Sequence, residues 1–71
     1  MIDIGVLKVE HDRYTKSIRE ISSETDDLIF LRRTARTRGE RLRYDVAILN
    51  NERAINKACQ ERLKLTMRVI G

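Results

Sequence analysis

The stretch Thr37-Arg38-Gly39-Glu40 decides how this chain is organised. Thr37 and Glu40 stand at the spacing of a capping box, in which an N-cap hydroxyl and a carboxylate three residues later satisfy the first unpaired amides of a helix. Gly39 is the only glycine between position 5 and the C-terminal residue, so a turn has one natural place to form. The spacing predicts one helical segment that ends ahead of this stretch, a tight turn near 37 to 39, and a second helix that starts there.

Upstream of the turn, Ile4, Leu7, His11, Tyr14, Ile18, Ile21, Thr25 and Leu28 follow one another in steps of three and four, the stripe of an amphipathic helix. Residues 2 to 9 also allow a short strand, because Ile2, Ile4 and Val6 alternate and Gly5 weakens a helix by about 1 kcal/mol relative to Ala. Ser22-Ser23-Glu24-Thr25-Asp26-Asp27 puts hydroxyls ahead of three carboxylates, an order favoured at a new helix N-terminus, and predicts a break or kink there. The helix count is therefore two or three.

Downstream, the same heptad phase extends on paper through Ala35, Leu42, Val46 and Leu49 to Leu63, Met67 and Ile70, but Arg53, Asn56 and Gln60 interrupt it. At about 100° per residue, Ala47, Ile48, Ile55, Ala58, Cys59, Leu65 and Val69 collect on roughly the opposite face. The last helix is expected to pack by that second face. Arg62 projects near its middle, where it snorkels or pairs with Glu20 or Glu24, unless the face is displaced by one residue.

Composition agrees with an all-α protein: 71 residues, 37% charged, three glycines and no proline. A chain of this length buries only about 60% of its unfolded surface and needs a further source of stability. Cys59 alone forms no intrachain disulfide, and Cys59 with His11 falls short of a four-ligand zinc site, so no metal and no cofactor is expected. Oligomerisation remains. The fold class read from these features is a helical hairpin of two or three amphipathic helices, a single domain over residues 1 to 71, dimerising into a bundle. The apolar run Leu28 to Leu31, which no other run exceeds, is far below the ~20 residues that span a bilayer, and the first residues lack the layout of a signal peptide. With its one thiol, the chain is expected to be soluble and cytoplasmic, without a membrane partner.

The net charge of +4 is unevenly spread. Residues 1 to 31 hold four basic and seven acidic side chains, residues 32 to 43 six Arg and one Glu, and residues 44 to 71 five basic and three acidic. The basic tract is Arg32, Arg33, Arg36, Arg38, Arg41 and Arg43, with no Lys. Arg offers a planar fork of donors that grips phosphate oxygens in pairs, which suits phosphate recognition better than general solubility. A second candidate is a ridge on the last helix: Arg53, Lys57, Lys64 and Arg68 project within an arc of about 60°, with Asn50 and Gln60 beside them. At ~1.5 Å per residue, Arg53 to Arg68 spans about 22 Å, several phosphate intervals along a duplex. The competing reading of both groups is a solvated helix surface with cations near a C-terminal dipole.

Base readout is not expected, because Tyr14, Phe30 and Tyr44 are the only aromatic residues and lie scattered; Tyr14 and Phe30 read as core. Enzymatic constellations are missing too: the sequence has no glycine-rich phosphate loop, no His pair and no CxxC. The intertwined chorismate mutases place arginines comparable to Arg19 and Arg36 on long helices, but their further acidic and amide residues have no counterpart here.

Leu31-Arg32-Arg33, Arg38-Gly39, Leu42 and Asp45-Val46 resemble, with a two-residue gap, the arginine-rich part of the N-terminal RNA-binding domain of the influenza A non-structural interferon-antagonist proteins. That resemblance implies a dimer of three-helix chains that lays arginine helices across double-stranded RNA. It would give Arg32 and Arg33 dimer-axis or phosphate-binding roles and make Arg38 a phosphate contact. The general plan is also similar to that of the nodavirus suppressors of RNA silencing. The function expected is therefore non-enzymatic: a homodimer that binds double-stranded nucleic acid, RNA ahead of DNA, through backbone phosphates, in a viral or phage suppressor role. The alternative is a helical coiled-coil adaptor, chaperone or assembly component that takes a partner protein's helix. A ribbon-helix-helix regulator would require the 2 to 9 stretch to be a strand.

Overall fold

A computed structural model describes residues 4 to 70, with the side chains of Val69 and Ile70 outside the description. The chain forms α1 (Ile4–Thr34) and α2 (Arg38–Ile70), which fold back on each other as an antiparallel hairpin. Its Cα extents are 56 × 14 × 12 Å. Both helices exceed thirty residues, far beyond the length at which an isolated helix becomes marginal in water, but it is their mutual packing that fixes them.

The turn is residues 35 to 37, slightly earlier than the sequence predicts. The Ala35 amide donates to the Arg32 carbonyl at 3.3 Å, and Thr34 Oγ1 donates back to the carbonyls of Phe30 and Leu31, which closes α1. Thr37 is the N-cap of α2: its Oγ1 accepts the Glu40 amide at 3.1 Å, and its carbonyl accepts the Arg41 amide. The Glu40 carboxylate reaches back to the Arg36 amide at 3.3 Å, one residue earlier than in the usual capping box. Gly39 is not in the turn. It lies in the first turn of α2, nothing stands within 4 Å of a Cβ added there, and no described residue has positive φ. The connection is made by side-chain capping, not by glycine's conformational freedom.

The break expected at 22 to 27 does not occur. α1 runs through it because Thr25 Oγ1 donates to the Ile21 carbonyl at 2.7 Å, satisfying its hydroxyl inside the helix, while Glu24, Asp26 and Asp27 lie on the exposed side. The result is two helices, not three, so the three-helix plan implied by the viral resemblance is not this fold. Residues 4 to 9 are helical, which removes the strand that a ribbon-helix-helix reading needs; Ile2 and Asp3 lie outside the described residues.

The interface between the helices uses the stripes read from the sequence. On α1, Leu7, His11, Tyr14, Ile18, Ile21, Thr25 and Leu28 are buried or half-buried, whereas Ile4 is exposed. On α2 the inward residues are Tyr44, Ala47, Ile48, Asn51, Ile55, Ala58, Cys59, Arg62 and Leu65. Phe30, expected in the core, is instead 65% exposed, because it falls on the back of α1, away from the stripe. Among the described residues the buried set is small and none of it is fully enclosed: Leu65 at 6%, Leu7 at 7% and Thr25 at 8% relative exposure. Two helices alone cannot surround a side chain, so most of the seam stays half-buried.

Polar contacts fix the register. Arg62 Nη1 donates to Thr15 Oγ1 at 3.4 Å, so the inward-facing arginine finds a hydroxyl of α1, not Glu20 or Glu24. Arg32 Nε pairs with Asp45 Oδ1 at the closed end. These two contacts share one antiparallel register, which brings Thr25 level with Asn51, whose buried Nδ2 has no hydrogen-bond partner.

Candidate nucleic-acid interface

The basic tract wraps the closed end of the hairpin. Arg32 and Arg33 occupy the last turn of α1, where cations meet the negative end of the helix dipole; Arg36 lies in the turn and Arg38, Arg41 and Arg43 in the first turns of α2. All six are exposed. They do not form one stripe: Arg41 and Arg43 are two residues apart, so they project about 200° from each other around α2. The tract is a charged cap.

Arg53, Lys57, Lys64 and Arg68 are likewise exposed, on the side of α2 turned away from α1. Of the ten cations, two have acidic partners. Arg32 is held by Asp45, which gives it a structural role in stapling the helices, and Lys64 Nζ lies 3.3 Å from Glu61 Oε1. Among the described residues Arg33, Arg36, Arg38, Arg41, Arg43, Arg53, Lys57 and Arg68 carry no ion pair. An exposed guanidinium with all its donors unengaged can accept a bidentate phosphate without first breaking a protein contact.

The ridge is not a purely polar face. Leu42, Val46, Leu49, Leu63 and Met67 are between 47% and 62% exposed and share the outer side of α2 with the four cations. The sequence carries the signal for this, since an interrupted heptad phase on a helix that packs by its other face must emerge on the surface. The outer face thus reads apolar, then basic and amide (Arg53, Asn56, Gln60), then apolar again.

Among the described residues no three His, Cys, Asp or Glu side chains gather in a way that could hold a metal ion, and no helix is long and apolar enough to cross a membrane. Cys59 is half-buried against α1. His11 is partly exposed, with Nδ1 4.0 Å from Asp12 Oδ1. A shallow open depression bordered by Val6, Val9, Glu10 and Arg13 lies on α1 at the opposite end from the arginine cap. Comparison of the chain with protein-family models, with curated proteins and with solved structures finds no match.

Proposed function

We propose that this protein is a homodimer that binds double-stranded nucleic acid through backbone phosphates, without reading bases and without enzymatic activity. The observation that carries the reading is that eight of the exposed Arg and Lys side chains without acidic partners gather at the closed end and along the outer side of α2, whereas only Lys8, Arg13 and Arg19 lie on the rest of α1. Of the eight, all but Arg36, which lies in the turn, sit on helix, so their spacing is set before any ligand arrives, and Arg predominates among them. The scattered aromatic residues supply no stacking platform, which favours an intact duplex over single strands. RNA is placed ahead of DNA on the resemblance of residues 31 to 46 to a double-stranded-RNA-binding segment, and the corresponding role is shielding a duplex, as a viral or phage suppressor would.

The test is a mobility-shift titration with short RNA and DNA duplexes at low and rising salt. Binding is expected to weaken steeply, with log K falling against log salt by about 0.9 per phosphate neutralised on B-form DNA. Absence of a complex with either duplex at low salt rejects the reading. The exposed apolar residues of α2 favour a second reading, a helical adaptor that takes a partner protein's helix. Reversing Arg53 and Lys57 to Glu separates the two: lost duplex binding with folding intact supports the first, and loss of a protein complex supports the second.

A further inference from the structure

The hairpin leaves more surface in water than a chain of its mass normally does. It exposes 6020 Å², whereas folded monomers of 8.4 kDa expose about 4,600 Å² on the usual mass scaling. The excess, about 1,400 Å² per chain, is on the scale of a homodimer interface, which buries about 2,000 Å² or more over both partners. The exposed large apolar residues of α1 project in several directions around that helix, whereas the five of α2 share its outer side. There Leu42, Val46, Leu49, Leu63 and Met67 continue one heptad seam, with Arg53, Asn56 and Gln60 in its middle.

We propose that a second copy of this chain docks on that seam with its α2 antiparallel, about a two-fold axis passing between residues 54 and 55, so that the two α2 helices meet at the centre of a four-helix layer and the two α1 helices lie outermost. The assignment deepens the homodimeric part of the function proposed above and rests on it. The register follows from pairing like with like. With the axis at that point, Leu42 meets the partner's Met67, Val46 meets the partner's Leu63 and Arg53 meets the partner's Asn56, so like covers like at three of the four levels of the seam, and Leu49 with the partner's Gln60 is the one unlike pair. Moving the axis by half a heptad sets Arg53 against the partner's Leu63 and buries a charge against a hydrocarbon.

Charge selects the orientation. A parallel pairing would set Arg53 against its own copy in the seam and bring both arginine caps to one end, doubling an already dense positive field. Its one compensating contact, Glu52 with the partner's Lys57, lies on a solvent-exposed rim, where ion pairs contribute little. The antiparallel arrangement moves the two caps to opposite ends of a body 56 Å long. It also sorts the flanks: Arg43, Lys57 and Lys64 border the seam on one side and Asp45 and Glu52 on the other. Because the two-fold axis stands perpendicular to the helices, the basic flanks of both copies fall on the same side of the dimer. That produces one continuous cationic face, which a single hairpin does not have. A phosphate backbone lying along it would screen the facing Arg43 and Lys64 groups of the two copies.

The test uses the full 71-residue chain without nucleic acid. Sedimentation and light scattering across a concentration series are expected to show a dimer, and Val46→Glu is expected to give a monomer that stays helical by circular dichroism. Orientation is read by disulfide trapping in a Cys59→Ala background. Val46→Cys mixed with Leu63→Cys is expected to cross-link, and Val46→Cys alone is not. A monomer at all concentrations, or self-cross-linking of Val46→Cys as fast as the mixture, overturns the proposal. The outcome is independent of the duplex reading: a trapped antiparallel dimer that binds no duplex would sink the nucleic-acid function and leave this interface standing, and duplex binding by a monomer would do the reverse.

Discussion

α2 presents apolar residues on two sides, and the hairpin uses one of them. Facing α1 are small groups, Ala47, Ala58 and Cys59, between larger ones such as Ile48, Ile55 and Leu65. On the outer side all five apolar residues are large, and each stays about half or more exposed. The difference matters for distance. Small side chains allow two helix axes to approach closely, so the inner seam suits a partner held covalently nearby by a three-residue turn. The outer seam, with leucines and a methionine around a polar middle, has the composition of a surface that meets another helix at ordinary coiled-coil spacing. One helix therefore separates folding on one side from association on the other, and the cations that border the outer seam belong to the second task.

Neighbouring positions offer the sharpest way to break this division. Leu65 is buried and Leu63 is 59% exposed, so Leu65→Ala is expected to lower hairpin stability by about 2–4 kcal/mol, while Leu63→Ala in dilute protein should change it by less than about 0.5 kcal/mol. Equal shifts in thermal melting would abolish the distinction between the faces. The two central asparagines come next. Asn51 has an unsatisfied buried amide, so Asn51→Leu is expected to stabilise the hairpin by about 1–3 kcal/mol in a denaturant melt. Asn56→Leu on the outer side should leave the monomer's melt unchanged and weaken self-association, because it sets the partner's Arg53 against a hydrocarbon.

Two arginines carry the same comparison into function. Arg62 faces α1 and engages Thr15, so Arg62→Met is expected to leave duplex affinity within about twofold, a shift under 0.5 kcal/mol. Arg43→Met removes an exposed cation from the flank of the outer seam and should weaken duplex binding several-fold at low salt, with a shallower salt slope. Filter binding across a salt series reads both. The smallest effect expected is at the closed end: Asp45→Asn releases Arg32 from its ion pair, costs up to about 1 kcal/mol of hairpin stability because the pair is exposed, and strengthens duplex binding slightly. An unchanged or weakened affinity in Asp45→Asn would show that Arg32 acts only as a staple.

Much of the hairpin could be read from the chain before any coordinates. The two inward stripes, the cap at Thr37 and the exposure of the arginines each follow from local spacing, because a helix fixes the direction of every side chain once it forms. The readings that failed did so for one reason. Ser22 to Asp27 has the composition of a helix start, and Gly39 that of a turn, but local preferences of a few tenths to 1 kcal/mol are overridden when seven residues of α1 already align on a stripe that α2 covers. Phe30, which reads as core, lies on the back of α1, a position that the same periodicity gives.

The sequence by itself determined that the chain is helical, that its charge is divided between an acidic first part and a basic remainder, and which side chains share a face. These are properties of composition and period, and they survive any arrangement of the helices. Tertiary structure alone decided that α1 is unbroken, that Arg62 is answered by Thr15 and Arg32 by Asp45, and that the heptad of Leu42 to Met67 faces outward. Those facts depend on the antiparallel register between residues far apart in the chain. Local spacing does not encode that register, and packing sets it only after both helices exist.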